Sequence, residues 1–167
     1  MRIQIFTTGG TIDKTYFDAK SEYEVGEPQI GHILREAQVA FDYDVTSLFR
    51  KDSLDLTDED RARIRQAVTE CDANRVLITH GTDTMADTAR FLNGIAGKTV
   101  VLTGALNPAR FRSSDAVFNI GCAIAAVQVC APGIYIAMNG QVFDGGRVRK
   151  NRAENRFEAI TDTDSSD

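Results

Sequence analysis

Short apolar runs alternate along the chain with longer stretches in which apolar residues recur every three or four positions. The apolar runs predict five strands, near residues 2–8, 43–49, 75–79, 98–103 and 133–138. The longer stretches predict four helices, near residues 29–39, 57–72, 84–96 and 115–130. Strands that alternate with helices are typical of βαβ units, whose crossovers are right-handed. The pattern therefore predicts an α/β fold with three layers, in which a doubly wound, mostly parallel sheet carries helices on both faces.

Local signals mark some ends of these elements. Thr57 and Thr84 each stand three residues before an aspartate, which is a weak variant of the helix capping box. Gly97 is expected to end the third helix. Residues 12–27 show no clear periodicity, so we expect a long loop there, and a loop of this length in a compact domain is usually functional, for example a lid.

The predicted helix near residues 115–130 is apolar nearly all round. Such a helix is either buried on both sides or packed in a subunit interface. The sequence leaves both alternatives open.

The chain has 167 residues, of which 43% are hydrophobic and 26% charged. This length and composition predict one globular domain over residues 1–160, followed by an acidic, disordered tail at residues 161–167. The formal net charge of −5 argues against a nucleic-acid partner. The basic stretch at residues 147–156 is interleaved with Glu154, so we expect a solvated or inter-subunit segment there.

The three cysteines have an odd count and no metal-like spacing, which favours reduced thiols in a cytoplasmic protein. No apolar run reaches the length of a membrane span, and no secretory signal pattern precedes the first strand, so we expect no membrane partner. No histidine or carboxylate group has metal-ligand spacing, and no Gly-Lys-Ser/Thr follows Gly9-Gly10 as it does in a phosphate loop. We therefore predict neither a metal nor a cofactor.

Two threonine-rich loops follow predicted strands: residues 7–12 read TTGGTI and residues 80–85 read HGTDTM. The carboxyl ends of parallel strands form a ligand crevice, so both loops can reach one site. Taken singly, the first is more often a plain turn and the second a helix cap. Together and in this order they resemble the TGGT and HGTDT signatures of the bacterial-type L-asparaginase family.

Other segments extend the resemblance. Residues 21–26 resemble the tyrosine-bearing lid of the family, and residues 52–56 its substrate-binding serine loop. Residues 104–115 are similar to its GAMRP…SAD segment, and residues 144–150 to the segment with its catalytic lysine. The resemblance covers roughly residues 3–158, which corresponds to the N-terminal domain of the family. Typical members are about twice as long and complete each site with residues from the C-terminal domain of a neighbouring subunit.

The resemblance implies catalytic roles for five residues. Thr11 would be the nucleophile, with Tyr23 assisting it, and Thr82, Asp83 and Lys150 would form a proton relay. A threonine hydroxyl needs a base to become a nucleophile. A desolvated lysine can accept that proton, and a carboxylate beside it stabilises the ammonium that forms.

Substrate binding is implied for a further group of residues: Gly10, Asp52, Ser53, Gly81 and Ala105. Ser53 and the start of the helix after Asp83 are expected to bind an α-carboxylate, and Asp83 to pair with an α-amino group. The oxyanion hole can come from the N–H group of Gly10, Thr11 or Thr82, and the sequence does not select among them.

The leading hypothesis is hydrolysis of L-asparagine to L-aspartate and ammonia through a threonine acyl-enzyme, by a homodimer or homotetramer. The alternative is a non-catalytic or weakly active module of the same fold that binds an amino acid. His80 is expected to be a hydrogen-bonded loop residue rather than a general base, and His32 to lie on the surface. The sequence departs from the family pattern at residues 13–15, where Asp-Lys-Thr places charges and a further hydroxyl close to Thr11. The sequence therefore leaves open whether Thr11 or Thr15 attacks first.

Overall fold

The computed structural model describes residues 1–17 and 22–161, with only the backbone of residues 16, 17, 22 and 23. Apart from Thr161, the predicted tail lies outside the described residues. Ten strands are described: β1 Arg2–Gly9, β2 Lys14–Phe17, β3 Glu22–Val25, β4 Asp42–Lys51, β5 Arg75–Thr79, β6 Thr99–Thr103, β7 Gly133–Met138, β8 Gln141–Asp144, β9 Val148–Asn151 and β10 Arg156–Ala159. Four α-helices are described: α1 Ile30–Glu36, α2 Asp58–Glu70, α3 Met85–Phe91 and α4 Ala116–Val129.

The central sheet has six strands in the order β4-β1-β5-β6-β7-β8. All neighbouring pairs are parallel except β7 and β8, which are antiparallel. The chain passes from β1 to β4 on one side and then returns to place β5 on the other side. This topology creates a switch point between β1 and β5, where the connections at the carboxyl ends leave in opposite directions and open a crevice.

The core has two parts, one on each face of the sheet. On one face Val76 and Ile78 of β5 pack with α2 and α3. On the other face Leu77 packs with α1 and α4. Successive side chains of a strand point to opposite faces, so one apolar run fills both layers. The predicted three-layer architecture with helices on both faces is confirmed.

The local predictions at helix ends have mixed outcomes. Thr57 and Asp60 form the reciprocal capping box at the start of α2, as predicted. Thr84 does not cap α3 with its side chain, because its hydroxyl donates instead to the Ser53 carbonyl at 2.7 Å. The predicted stop at Gly97 is also wrong: α3 ends at Phe91, and Gly94 takes a positive φ of 84° soon after it.

The described residues of this stretch, 12–17 and 22–27, are not the long loop that the lack of periodicity over residues 12–27 indicated. Lys14–Phe17 and Glu22–Val25 form an antiparallel pair, with Lys14 opposite Val25 and Tyr16 opposite Tyr23. A second two-stranded sheet, of β9 and β10, follows the central sheet. Each of these four strands has only four residues, so its sequence carries little periodic signal.

Helix α4 is buried on one face only, which excludes the alternative of burial on both sides. Ile120 and Ala123 lie in the core. The opposite face is apolar and exposed, with side-chain exposures of 60% for Val117, 65% for Phe118 and 81% for Val129. None of the helices in the described part of the chain is long and apolar enough to span a membrane.

Candidate active site

The loops after β1 and β5 meet at the switch point of the sheet. A Cβ atom placed on Gly10 would lie 2.4 Å from the Cα and N atoms of Gly81, which is closer than any real contact. Gly10 also has a φ of +89°, a conformation that favours glycine. These two glycines therefore let the two threonine loops pack backbone to backbone, although they are far apart in sequence.

The serine loop joins the same contact region. A Cβ atom on Gly81 would lie 2.5 Å from the Cβ of Ser53, which is buried in a 3₁₀ turn at Ser53–Asp55. The Gly10 N–H donates to the Lys51 carbonyl at 2.9 Å, and the Thr84 hydroxyl donates to the Ser53 carbonyl. The structure thus brings together Gly10, Ser53 and Gly81, while their role in substrate binding stays a prediction.

Lys150 reaches this region from β9. Its Nζ donates to Thr82 Oγ1 at 2.8 Å and to Asp83 Oδ1 at 2.8 Å. The Lys150 side chain is only 12% exposed, and Thr82 is 5% exposed. A lysine, a threonine hydroxyl and a carboxylate are therefore in direct contact in a partly desolvated place, which is the arrangement a proton relay needs.

The position of Lys150 depends on the packing of the β9–β10 pair. Phe157, opposite Lys150 in the β9–β10 pair, is fully buried in the core, and so is Val148. The Val148 carbonyl accepts a hydrogen bond from the Arg90 side chain of α3 at 3.0 Å. The same helix follows the loop with Thr82 and Asp83, so Arg90 links β9, which carries Lys150, to the helix that follows its two contact residues.

Thr11 begins a 3₁₀ turn, Thr11–Asp13, and is partly exposed. The segment between β6 and α4 holds this turn, because the Ala109 N–H donates to the Ile12 carbonyl at 3.0 Å. Tyr23 lies on β3 by its backbone, and its side chain falls outside the described part of the chain. The structure therefore places the backbone at Thr11 and Tyr23. Contact between their side chains stays a prediction.

Asp52 and Ala105 are engaged differently from Ser53. The Asp52 carboxylate accepts from the Leu54 N–H at 3.2 Å and pairs with Lys14 at 2.6 Å. Burial opposes its ionisation, but these hydrogen bonds outweigh burial and lower its pKa. Asp52 thus stabilises the Ser53 turn. The Ala105 side chain is 1% exposed and packs in the core, so it offers a ligand only its backbone.

His80 is completely buried at the end of β5. Its Nδ1 contacts the Gly81 carbonyl at 2.7 Å, and a carbonyl only accepts, so Nδ1 carries the proton. Nε2, at 2.8 Å, then accepts from the Thr88 hydroxyl. Burial lowers the pKa of His80 to about 4, so the ring is neutral at pH 7. The prediction of a hydrogen-bonded loop residue is confirmed, and His32 is exposed, also as predicted.

Asp13 is a buried acid that the sequence showed only as a charge next to Thr11. It is 2% exposed, and burial raises its pKa to about 7 despite a hydrogen bond from the Gln29 N–H and the charge of Arg50. No signal in the sequence distinguishes it from a surface aspartate. Within residues 1–17 and 22–161, no group of three or more histidine, cysteine or acidic side chains is arranged to hold a metal ion.

Comparison with known proteins agrees with this geometry. Residues 2–165 match the family model described as "Asparaginase, N-terminal". The chain belongs to the asparaginase family and corresponds to the N-terminal domain of its members.

Curated relatives and solved structures show the extent of the similarity. The chain is 32% identical to an L-asparaginase of Thermococcus kodakarensis, over 96% of this chain and 51% of that protein. It is 34% identical to L-asparaginase 2 of Escherichia coli, over 89% of this chain and 46% of that protein. The structure of the thermostable T. kodakarensis L-asparaginase superposes with a TM-score of 0.83 at 28% identity, covering 96% of this chain and 51% of the other. The chain spans about half the length of the relatives it matches.

Proposed function

We propose that this chain hydrolyses the side-chain amide of L-asparagine to L-aspartate and ammonia. The observation that carries the proposal is the contact of Lys150 Nζ with both Thr82 Oγ1 and Asp83 Oδ1 at 2.8 Å. Gly81, which precedes Thr82, packs against Gly10, which precedes Thr11. A binding module has no need of a lysine that touches a threonine hydroxyl. Family membership, with relatives named L-asparaginase, points to the same reaction.

Thr11 is the proposed nucleophile. Its hydroxyl attacks the amide carbon with assistance from Tyr23, the carbon–nitrogen bond breaks, and ammonia leaves with an added proton. Water then hydrolyses the acyl-enzyme ester to release L-aspartate. Lys150, Thr82 and Asp83 relay protons in these steps.

The oxyanion hole is proposed to use the N–H group of Thr11 or Thr82. The Gly10 N–H, the third alternative, already donates to the Lys51 carbonyl at 2.9 Å. An N–H engaged in this way is not aimed at a developing oxyanion, so the N–H groups of Thr11 and Thr82 remain as the proposed donors.

Ser53 and Asp83 are the proposed anchors of the substrate. Ser53 lies against Gly81, where its hydroxyl can donate to the α-carboxylate. Asp83 gives one oxygen to Lys150, and its second oxygen can pair with the α-amino group. Ser53 and Asp83 lie on different loops, so their separation from Thr11 favours a substrate side chain of one length.

The protein is proposed to act in the cytoplasm as a homodimer or homotetramer, without a nucleic-acid or membrane partner. Its three cysteines are free, which agrees with a reducing compartment. The apolar exposed face of α4, which includes Phe118 and Val129, supports contact with a second copy.

Ammonia release from L-asparagine tests the proposal. We expect turnover by the wild-type chain, a loss on the order of 10³-fold in kcat for Thr11→Ala, and partial activity for Thr11→Ser, which keeps the hydroxyl. If Thr11→Ala keeps normal turnover, Thr11 is not the nucleophile. If the wild-type chain binds asparagine in calorimetry but releases no ammonia, the chain is an amino-acid-binding module instead.

A further inference from the structure

Asp13 connects three parts of the structure through hydrogen bonds. Its N–H donates to the Gly10 carbonyl at 3.1 Å, within the turn that carries Thr11. Its carbonyl accepts from the Gly26 N–H at 2.8 Å, and its Oδ1 accepts from the Gln29 N–H at 2.9 Å. One residue therefore joins the Thr11 turn, the chain that leaves the β2–β3 hairpin, and the approach to α1.

The hairpin begins and ends directly beside these bonds. Lys14 and Val25 are its first pair, and the bond between the Asp13 carbonyl and the Gly26 N–H continues the pairing by one step. Little space is left there: a Cβ on Gly26 would lie 2.8 Å from the Thr15 side chain, and a Cβ on Gly9 would lie 2.9 Å from that of Val25. The orientation of the hairpin relative to Thr11 is thus determined close to Asp13.

The Asp13 carboxyl group is buried with only part of its hydrogen-bonding capacity satisfied. Among the described residues, its Oδ2 has no hydrogen-bond partner. The charged groups nearby are themselves engaged, because Arg50 of β4 pairs with Glu27 at 2.7 Å and Lys14 pairs with Asp52. A buried polar atom without a partner costs stability, so stabilisation of the fold does not account for this carboxyl group beside the proposed nucleophile.

We propose that Asp13 is a positioning residue that holds the β2–β3 hairpin, and with it Tyr23, in a fixed orientation relative to Thr11. This inference rests on the proposed function, since Thr11 and Tyr23 act together there. Asp13 itself touches no reacting atom. Its side chain acts by holding the Gln29 N–H, while its main chain holds Gly10 and Gly26.

The test compares Asp13→Ala with Asp13→Asn. Alanine removes the acceptor for the Gln29 N–H, whereas asparagine keeps Oδ1 and is nearly the same size. A misplacement of about 1 Å can cost on the order of 10²-fold in rate. We expect kcat of Asp13→Ala to fall about 10- to 100-fold at a temperature where the variant is fully folded, and Asp13→Asn to retain kcat within about threefold.

Asp60→Ala provides the matched control. Asp60 is also a buried aspartate, but it caps α2 and pairs with Lys51 instead of contacting the hairpin. We expect this variant to lose stability and to keep kcat within about threefold. Equal kcat losses in the Asp13→Ala and Asp60→Ala variants would overturn the proposal.

Hydrogen exchange separates this inference from the proposed function, because it needs no activity. In Asp13→Ala the Gln29 amide loses its acceptor and should exchange at least tenfold faster than in the wild type, whereas the β5 and β6 amides should remain unchanged. The Gly26 amide keeps its main-chain acceptor, so faster exchange there, which we also expect, reports loosening of the hairpin. Unchanged exchange at Gly26 would overturn the positioning role. If the wild-type chain releases no ammonia, the exchange result still decides whether Asp13 holds the hairpin.

Discussion

Asp13 and His80 make opposite contributions to the dependence of stability on pH. Burial raises the pKa of Asp13 from 3.8 to about 7, and burial lowers that of His80 from 6.5 to about 4. Between about pH 4 and 6.5 the unfolded chain therefore holds a proton on His80 and none on Asp13. The folded chain holds a proton on Asp13 and none on His80. The proton count of this pair is the same in both states, so the pair adds no slope in this range.

Each contribution alone is large. One pKa unit corresponds to 1.36 kcal/mol, so the changes at His80 and Asp13 amount to about 3 and about 4 kcal/mol. The folded pKa of His80 is depressed, so its contribution to the free energy of unfolding is fully present above pH 6.5 and is lost as the pH falls towards 4. The folded pKa of Asp13 is raised, so its contribution is fully present below about pH 4 and is lost as the pH rises through 7.

Asp13→Asn removes the acidic member of this pair and exposes the effect of His80. We expect the free energy of unfolding of this variant to fall by about 2–3 kcal/mol between pH 6.5 and 4.5, relative to the wild type over the same range. Urea titrations at intervals across pH 4.5–8 measure it. The acids with lowered pKa, such as Asp52 and Asp60, are present in both proteins and cancel in the comparison.

His80→Gln gives the reverse test, because Asp13 then acts alone and stability should fall as the pH rises from 4.5 to 7. This variant also loses a hydrogen bond to Thr88, so only its slope is compared and not its absolute stability. Parallel curves for the wild type and Asp13→Asn would refute the reasoning, since they would mean that Asp13 is ionised in the folded protein at pH 5.

Three further outcomes are expected from the geometry of the site and the surface. Lys150→Met keeps the apolar stem and removes the ammonium, so ammonia release should drop at least about 10³-fold while the circular dichroism spectrum stays near native. Retained activity would exclude the proposed proton relay. Gly81→Ala forces a Cβ to within 2.5 Å of Ser53, so we expect weak or absent asparagine binding in calorimetry, and native affinity would contradict the packing. Phe118→Lys places a charge on the exposed face of α4, and light scattering should show a smaller oligomer than for the wild type, whereas an unchanged mass would place the interface elsewhere.

The central sheet and its helices were predictable because burial imposes a period on each of them. Strand β5 is buried on both faces and reads as an unbroken apolar run, and α2 repeats its apolar residues at helical spacing. The strands of the β2–β3 and β9–β10 ribbons have only four residues each, too few for a period to stand out, and the sequence did not reveal them. The predicted end of α3 was also wrong, because Gly94 provides a left-handed turn before Gly97 is reached.

The site was predictable where its chemistry is local in sequence. The glycines and threonines of the two signature loops stand next to one another in the chain, and the need for glycine at positions 10 and 81 is visible as a motif before the contact between them is known. Asp13 lacked such a signal. Its carboxyl group is approached by the Gln29 N–H and by the charge of Arg50 on β4, and both residues are distant from Asp13 in the sequence.

The position of Lys150 depends both on a recognisable sequence segment and on packing between distant parts of the chain. The segment that contains it is recognisable by resemblance, but its 2.8 Å contacts with Thr82 and Asp83 require β9 to lie against the sheet. That placement comes from Phe157, buried at 1% exposure across the ribbon, and from the bond between Arg90 and the Val148 carbonyl. A chain could keep every signature residue and still lose the relay if Phe157 were polar, because the ribbon would no longer have an apolar anchor in the core. The contact of Lys150 with Thr82 and Asp83 therefore depends on a core residue outside the motifs as much as on the motifs themselves.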